Sequence, residues 1–409
     1  MRSLILLLFW LKVGNIFAQS IEVPVDYSNP GLGKFDLEYE FGSEFDPAKP
    51  TVIVIADAQQ FYVSKGRVKK IQEELFGDLF NVLGIITRGN NQELRNKVTT
   101  DDGETDWDKA YSIFQSFQYV NDIHSAINQV VKNQEDVYLY GQSGGAFLIT
   151  EYLSVFPDSQ VKKVFIGATV NPSVEAQLGL NHDNFQREFL AENQFAQMQL
   201  EQIIEENYFS RELVAQLFQR QNFFVEKSGL NAARTELMEK LYRKDTASIN
   251  SYIKDYQINA LNGFLASDFG IPIRVRLAEF IYPIMERLNS SESKFYPDLE
   301  NSYHIALPVL NKKDETMREI QIPFNQDKLR EFNGEVFILS ARYDHVADYR
   351  SSVYLSGVLK NCKLFLVDDD HTFKRLKSND NYAKIIQDFF TQNGEIVVSR
   401  YDKYRWKEK

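Results

Sequence analysis

The stretch at residues 136–152, which reads DVYLYGQSGGAFLITEY, limits the possible folds of this chain more than any other. An apolar run with alternating aromatic residues enters a glycine-rich turn, and apolar residues at helical spacing follow the turn. The pattern predicts a strand, a tight turn and a helix in direct succession. Gly141, Ser143 and Gly145 match the Gly-x-Ser-x-Gly sequence of a nucleophile elbow, in which a serine lies on a strained turn above a sheet.

The glycines of this turn have distinct physical roles. On either side of the serine, at Gly141 and Gly145, a side chain is expected to collide with neighbouring backbone. Gly144 can offer an unobstructed backbone N–H to an oxyanion. A serine that matches by chance in a loop is the alternative, and the strand before the turn and the helix after it argue against that alternative.

Other apolar runs along the chain predict a mainly parallel sheet with helices on both faces, because strand patterns alternate with helical ones. Residues 106–131 have the pattern of one helix, and residues 35–41 alternate as a half-buried strand does. Buried strands are predicted at 51–56, 80–87, 137–140, 161–168, 334–340 and 363–367, and a short final strand at 395–399.

The chain has 409 residues, which is long for a single core, so one main domain with a large insertion is expected. Residues 171–327 contain long Glu-, Gln-, Phe- and Leu-rich stretches of helical pattern and form the predicted insertion. Residues 19–170 and 328–409 form the predicted main domain. The many aromatic residues of the insertion are expected to pack helix against helix, with pocket lining as the alternative.

Residues 1–18 read as a secretory signal, with a short charged start, an apolar run and then Phe17-Ala18 before Gln19. The apolar run is far shorter than the roughly 20 residues that a membrane-spanning helix needs. We therefore expect cleavage after Ala18 and a periplasmic or secreted protein, without stable membrane insertion. The alternative is an uncleaved anchor.

Charge and cysteine content exclude several classes of function. The formal net charge of −11 argues against nucleic acid or an anionic membrane surface as a partner. Cys362 is the single cysteine, which excludes an internal disulfide and a cysteine metal cluster. No His-Glu-x-x-His occurs and no histidine pair has ligand spacing, so no metal or other cofactor is expected.

A serine nucleophile needs a base, usually a histidine that a carboxylate orients. Among the five histidines, His371 follows a predicted strand by a few residues, where a loop can reach back to Ser143. Asp344 follows the preceding strand, which gives the order Ser, Asp, His of the α/β-hydrolase fold. His345 is a weaker choice of base, because neighbouring side chains in a loop rarely pair in triad geometry. The aspartates at 368–370 could orient His371 if Asp344 does not.

Several motifs together carry a family resemblance: VPVDYSNP at 23–30, Arg88-Gly89, GQSGG at 141–145, ARYDHV at 341–346 and His371. They resemble the α/β-hydrolase-fold serine peptidases of the prolyl aminopeptidase and tripeptidyl aminopeptidase type. The resemblance implies an α/β-hydrolase fold, with a mainly parallel sheet and a large helical cap insertion. It also implies Ser143 as nucleophile, His371 as general base and acid, and Asp344 as the residue that orients His371.

In the same family, glutamates of the cap hold the free amino terminus of the substrate. The stretch RLAEFIY at 276–282 is similar to the family's cap segment, so the resemblance implies Glu279 as the residue that binds the amine. The alternative is an ordinary exposed helix glutamate.

The loop after the first buried strand departs from the family, which usually carries His-Gly-Gly-Pro-Gly there; this chain has ADAQQ at 56–60. Ala58 or Gln59 could still supply the second oxyanion N–H, opposite Gly144. Two like charges about 4 Å apart cost roughly 4 kcal/mol at an effective dielectric near 20, which is on the order of a thousandfold in rate. Asp57 must therefore turn away from the site, or the chemistry is weak or altered.

The sequence thus predicts a secreted serine hydrolase that releases amino acids or short peptides from peptide N-termini through an acyl-enzyme. Its expected partner is a peptide or small ester substrate, and the sequence does not indicate an oligomeric state. A carboxylesterase-type hydrolase with the same triad is one alternative. A hydrolase-fold binding protein with weakened catalysis, suggested by the altered loop at 56–60, is the other.

Overall fold

The computed structural model describes residues 19–180, 182, 184–191, 193–285, 294–316 and 319–407. The predicted signal at 1–18 lies outside these residues. Within the described ranges, no helix combines the length and the apolarity that crossing a membrane requires.

Eight strands form one sheet in the order β1-β2-β4-β3-β5-β6-β7-β8. The pairings of β1 with β2 and of β2 with β4 are antiparallel, and every pairing from β4 through to β8 is parallel. The mainly parallel sheet predicted from the sequence is therefore confirmed. The strands are β1 Gln19–Pro24, β2 Lys34–Phe41, β3 Thr51–Ile55, β4 Asn81–Ile85, β5 Val137–Gln142, β6 Val161–Gly167, β7 Glu335–Ala341 and β8 Cys362–Val367.

Helices connect the strands and fill the long segment between β6 and β7. They are α1 Val68–Ile71, α2 Gln92–Lys97, α3 Trp107–Phe114, α4 Ser116–Val130, α5 Gly144–Val155, α6 Pro172–Leu178, α7 Gln194–Glu206, α8 Arg211–Phe224, α9 Lys227–Tyr242, α10 Thr246–Asp255, α11 Ile258–Ala266, α12 Gly270–Ile281, α13 Pro297–Thr316, α14 Gln326–Leu329, α15 Tyr349–Val358, α16 Lys374–Ser378, α17 Asn381–Thr391 and α18 Gly394–Arg400.

Two predicted elements differ from the structure. The helix predicted at 106–131 is two helices, because Gln115 takes an extended conformation (φ −68°, ψ 157°) between α3 and α4. The strand predicted at 395–399 is helix α18, which begins where the Asn393 side chain accepts a hydrogen bond from the backbone N–H of Ile396. A short apolar run fits either element, and this helix cap decides between them.

Both faces of the sheet are covered, as the apolar runs predicted. In β3, Ile53 and Ile55 pack on one face in a cluster with residues of α3, α4, α5, α12 and α13. Val52 and Val54 point to the other face, into a cluster with residues of α17 and α18. This strand order, with a serine elbow directly after β5, is the α/β-hydrolase fold.

The helical stretch between β6 and β7 divides between two hydrophobic clusters. Helices α12 and α13 belong to the main cluster of the sheet. Helices α7 to α10 supply most of a separate cluster, which we call the cap cluster. Its buried members are Phe185, Phe189, Leu190, Ala196, Leu200, Ile203, Val214, Ala215, Leu217, Phe218, Leu237, Met238, Leu241, Ile249, Tyr256, Ile258 and Phe295. The boundaries 171–327 of the insertion stay a prediction.

A fully buried arginine joins two of the motifs that carry the family resemblance. The Arg88 guanidinium donates from Nε and Nη2 to Asp122, both at 2.7 Å, and from Nη1 to the carbonyl oxygens of Val25 and Ile113. The lead-in at 23–30 is thereby fixed to the turn after β4. This pair has a structural role in the fold.

Candidate active site

Ser143 lies at the junction of β5 and α5 with φ 55° and ψ −123°, a conformation that a residue with a side chain rarely adopts. A Cβ at Gly145 would lie 2.2 Å from the Ile55 carbonyl oxygen, and one at Gly141 would lie 2.7 Å from the Gly145 backbone. The collisions expected at these two positions are therefore present. They explain why the elbow needs glycine on both sides of the serine.

In the predicted triad, His371 lies within hydrogen-bond distance of both Ser143 and Asp344. Nε2 of His371 is 3.0 Å from Oγ of Ser143. Nδ1 of the same ring is 2.8 and 2.9 Å from the two carboxylate oxygens of Asp344. With Nδ1 donating to the carboxylate, the lone pair of Nε2 faces the serine hydroxyl.

Asp344 is held by its own loop. Its Oδ1 accepts the backbone N–H groups of Val346 and Ala347, both at 2.8 Å. Burial lowers the pKa of His371, but the charge of Asp344 and the hydrogen bond to it outweigh that effect, so the pKa of His371 is raised above its ordinary value. The imidazolium that forms when His371 accepts a proton is thus stabilised.

The competing histidine, His345, lies beside the triad without a place in it. Its ring centroid is 6.2 Å from that of His371, and no described residue forms a hydrogen bond with its Nε2. Burial, followed by the positive charge of His371, lowers its pKa well below the ordinary value. His345 is therefore a neutral ring at neutral pH. Phe223 packs edge-on against it, with 4.9 Å between the ring centroids.

Two glutamines, which the sequence reasoning missed, fix the elbow to its surroundings. Oε1 of Gln60 accepts the N–H groups of Asp57 and Gly145, and its Nε2 donates to the carbonyl oxygen of Gln142 at 2.7 Å. The Gln142 side chain donates to the carbonyl oxygen of His371 at 3.2 Å. The loop after β3, the elbow and the histidine loop are thus joined by side-chain hydrogen bonds. In the sequence, two glutamines at 59–60, where the family that the chain resembles carries glycines, were the sign that this loop forms side-chain hydrogen bonds.

The oxyanion donors differ in part from the prediction. Gly144 is the first residue of α5, so its N–H has no acceptor within the helix, as predicted. The Ala58 N–H donates to Oδ1 of Asp57 at 2.7 Å and is therefore already used, which corrects its assignment as the second donor. The N–H groups of Asp57 and Gln60 are also engaged. This leaves the N–H of Gln59, for which the described residues supply no acceptor.

The Asp57 side chain points into the protein, and its negative charge has a partner. It is 2% exposed, and its Cβ and Oδ2 lie 2.7 and 2.9 Å from the position that a Cβ on Gly144 would occupy. Nε of Arg276, from α12, donates to its Oδ1 at 2.8 Å. The predicted like-charge problem is therefore met by a buried counter-charge. The family resemblance points to the glutamate of the stretch 276–282, whereas the contact with Asp57 comes from its arginine.

Glu279 is a buried structural residue in this structure and not an exposed helix glutamate. It has no exposed surface, and both of its oxygens accept the backbone N–H of Ser116 at 3.0 Å. Arg276 donates to its Oε2. Ser116 is the first residue of α4, so Glu279 caps that helix. These contacts correct its assignment as the group that binds a substrate amine, because its acceptor oxygens are already occupied.

A different acidic residue lies near the triad without a donor. Asp298, in the first turn of α13, is 8% exposed, and no described residue donates to its Oδ1. Oδ1 of Asn301, one turn further along the same helix, is likewise buried with no described donor. Burial raises the pKa of Asp298 to about 7, and the charges of Asp344 and His371 both act on it. Helix α13 therefore carries two buried unsatisfied acceptor oxygens, and one of them, on Asp298, lies within electrostatic range of the triad.

Two cavities lie beside the histidine loop. One of about 830 Å³ lies between the α8–α9 connection and residues 368–378, with Lys227 and Asp370 in its lining. A smaller one, also lined by Lys227 and Asp370, is bounded by His345 and Arg234. Both therefore border the residue before His371. Among the described residues, no group of three or more His, Cys, Asp or Glu side chains could hold a metal ion.

No protein-family model matches the chain, and no curated protein matches it in sequence. Solved structures that match include a bromoperoxidase from Bacillus anthracis, with 14% identity over 91% of this chain and 99% of that chain and a TM-score of 0.43. A proline iminopeptidase from Mycobacterium smegmatis matches with 11% identity over 92% and 99%, and a TM-score of 0.43. An α/β-hydrolase enzyme from a Medee basin deep-sea metagenome library matches with 11% identity over 87% and 94%, and a TM-score of 0.43. At these identities and TM-scores the likeness carries no argument about activity.

Proposed function

We propose that this protein is a serine hydrolase in which Ser143 is the nucleophile, His371 the general base and acid, and Asp344 the residue that orients His371. The observation that carries the proposal is the continuous line of hydrogen bonds from Asp344 through His371 to Oγ of Ser143, at 2.8 and 3.0 Å. A serine hydroxyl needs such a line to act as a nucleophile at neutral pH.

In the proposed reaction, Oγ of Ser143 attacks the carbonyl carbon of the substrate while its proton passes to Nε2 of His371. The N–H groups of Gly144 and Gln59 are the donors that face the developing oxyanion. His371 then gives the proton to the leaving amine or alcohol, which departs and leaves an acyl-enzyme. A water molecule, deprotonated by His371, hydrolyses the acyl-enzyme and restores Ser143.

We further propose that the substrate is a peptide with a free amino terminus. The support for this is the pair of buried acceptors, Oδ1 of Asp298 and Oδ1 of Asn301, which have no described donor. A buried acceptor without a donor costs about 1–3 kcal/mol, and a protonated amine is a donor of the kind that such acceptors lack. The amine-binding role that the family resemblance gave to Glu279 is thereby moved to α13.

The serine mechanism is tested with a fluorophosphonate probe and aminoacyl reporter substrates. We expect the probe to label the parent protein at Ser143, and Ser143→Ala to lose labelling and to lower kcat by on the order of 10⁴ or more. Turnover of the reporters by Ser143→Ala at the parent rate would contradict the mechanism.

The choice of substrate is tested by comparing free and N-acetylated forms of the same aminoacyl reporter. We expect the parent protein to prefer the free amine by at least about tenfold in kcat/KM, which corresponds to about 1.4 kcal/mol of binding. Asp298→Asn should remove most of that preference, and Asp327→Asn, at an exposed position on a different helix, controls for the loss of one carboxylate charge. Equal rates on both forms, together with rapid cleavage of simple acyl esters, would replace the peptidase by the carboxylesterase alternative.

The secreted or periplasmic location is also a proposal. The proposed cut after Ala18 would leave β1 intact, since that strand begins at Gln19, which pairs with Tyr39. N-terminal sequencing of the protein from fractionated cells should find Gln19 as the first residue. A protein that retains residues 1–18 and sediments with membranes would support the uncleaved anchor.

A further inference from the structure

A buried carboxylate lies against the backbone that the proposed mechanism uses to stabilise an oxyanion. Cβ and Oδ2 of Asp57 are 2.7 and 2.9 Å from the position of a Cβ on Gly144. Negative charge that develops on the substrate next to the Gly144 N–H would meet this carboxylate in a site with little water. Left alone, Asp57 would oppose the transition state that Gly144 stabilises.

One arginine compensates this charge, and it comes from far along the chain. Arg276 on α12 is 2% exposed, and its Nε donates to Oδ1 of Asp57 at 2.8 Å. Its carbon Cζ lies 5.2 Å from the ring centre of Phe147 on α5, the helix that Gly144 begins. The guanidinium therefore packs between the loop at 57 and the elbow helix.

Two further carboxyl groups surround the same arginine. Glu279 accepts from Nη1 of Arg276, and an oxygen of Glu151 lies 3.8 Å from Nη2. Three ionised carboxylates around one guanidinium would leave two uncompensated negative charges. Burial is the largest effect on both glutamates: it raises the pKa of Glu151 well above its ordinary value and that of Glu279 to about 7. The two glutamates can therefore be protonated and neutral, so that Asp57 is the ionised partner of Arg276.

We infer that Arg276 is a positioning residue for the proposed hydrolysis: it holds Asp57 as one half of a neutral ion pair, so that the oxyanion at Gly144 forms beside no net negative charge. The inference rests on the proposed serine mechanism and not on the identity of the substrate. It assigns to α12 a direct electrostatic effect on the chemical step. It also explains how the chain functions with aspartate in the loop where the family that it resembles carries glycines.

Replacing the charged residues of this pair with uncharged ones of similar size separates the electrostatic role of Arg276 from its packing. In Arg276→Met the Asp57 carboxylate loses its partner, and we expect the rate of labelling at Ser143 to fall by about 100-fold to 1000-fold. In the double variant Asp57→Asn/Arg276→Met neither charge of the ion pair remains, and the rate should return to within about tenfold of the parent. KM for a reporter substrate should change little in either variant, because the effect lies on the transition state.

The matched control is Arg88→Met, which breaks another fully buried arginine–aspartate pair, at a place held by Val25 and Ile113. It should lower the unfolding temperature as Arg276→Met does but leave the labelling rate per folded molecule unchanged. Labelling rates are measured well below each variant's unfolding temperature and divided by the amount of protein that labels at completion. This removes the contribution of unfolded protein.

Each outcome of the experiment decides the inference. A slower labelling rate in Arg276→Met that recovers in the double variant supports the inference, whichever substrate the enzyme proves to prefer. A folded double variant that labels as slowly as Arg276→Met, or an Arg88→Met variant with the same loss, overturns it. A parent protein that the probe never labels overturns the proposed serine mechanism, and the inference with it. A parent that labels but ignores free-amine substrates overturns the proposed substrate alone.

Discussion

His371 works in the proposed site only because several weak constraints act on one ring. Asp344 fixes Nδ1, the Gln142 side chain holds the backbone carbonyl of His371, and Phe223 packs edge-on against the ring at 6.4 Å. The charge of Asp344 raises the pKa of the ring in spite of its burial. The basicity of this histidine is therefore set mainly by a single carboxylate.

The pH dependence of the reaction should show this. Because the pKa of His371 is raised, the ring stays protonated to a higher pH than usual, and kcat/KM should rise with pH through a midpoint above the ordinary histidine value of about 6.5. Asp344→Asn should move that midpoint to lower pH and lower kcat by on the order of 10⁴. The measurement is kcat/KM between about pH 5 and 9. A parent midpoint at or below 6.5 would show that Asp344 does not act on the ring as described.

The protonation of His182 should make the unfolding free energy depend on pH. It is 4% exposed and bonded to Glu175 at 2.6 Å, and, against the effect of burial, the charge of Glu175 raises its pKa to about 9. A raised pKa in the folded state means that the stabilisation is complete below about pH 6.5 and is lost as pH rises through about 9. We expect about 3 kcal/mol of pH-dependent unfolding free energy from this residue.

The measurement is urea unfolding of the parent and of His182→Gln at several pH values in this window. The parent should lose stability more steeply than the variant as pH rises. Parallel curves for the two proteins would mean that His182 keeps the same protonation state throughout, contrary to its contact with Glu175.

What the sequence could predict at this scale depended on distance along the chain. That Ser143, Asp344 and His371 lie together could be predicted because strands and turns fix where such residues can lie. Arg276 and Asp57 are 219 residues apart, and no local pattern connects them. Glu279 was assigned by likeness to a family motif, and only the fold shows that its oxygens already accept hydrogen bonds from α4.

At the scale of elements, strands were more predictable than helix boundaries. Runs that are apolar on both faces, such as β3 and β5, fit a central parallel strand and little else. The break between α3 and α4 has no such signal, because Gln115 is neither proline nor glycine. The break is nevertheless useful, since it frees the Ser116 N–H at the start of α4 for a partner 163 residues away.

The contact between α12 and α4 gives a test of the role of Glu279. Glu279→Gln weakens the acceptor that caps α4 and should lower the unfolding free energy by about 1–3 kcal/mol, the cost of a disturbed buried hydrogen bond. KM for free-amine substrates should stay within about twofold of the parent, because the Glu279 oxygens already accept from Ser116 and Arg276. A large rise in KM without loss of stability would restore the amine-binding assignment. Asp298→Asn is the comparison: it should raise KM for free-amine substrates without lowering the unfolding free energy.

At the scale of the whole molecule, the protein has two hydrophobic clusters against the sheet and a third in the cap. The cap cluster is built mainly from α7 to α10, whereas α12 and α13 pack with the sheet. The insertion is therefore not one uniform lid. Its C-terminal part carries Arg276 and Asp298 and is fixed to the main core. The apolar residues of α7 to α10 pack mainly among themselves, so we expect this part to open at a lower free energy than the core.

Hydrogen exchange should resolve this division. We expect amides of α9 and α10 to exchange through local opening, at a lower free energy than those of β5 and β6. Leu237→Ala, at a fully buried position of the cap cluster, should cost about 2–5 kcal/mol and speed exchange in these helices first. Leu139→Ala, at an equally buried position in β5, should instead destabilise the whole protein. Equal exchange in cap and sheet would show one cooperative unit.

The position of β8 at the far edge of the sheet has a consequence for the order in which the protein is made. Ser143 and Asp344 are synthesised before the ribosome reaches the last strand, and His371 follows that strand by only a few residues. A nascent chain that stops before residue 371 can therefore contain a complete elbow and still have no base to activate it. In the proposed mechanism, Ser143 therefore has no general base until residue 371 has been made and the last strand has joined the sheet.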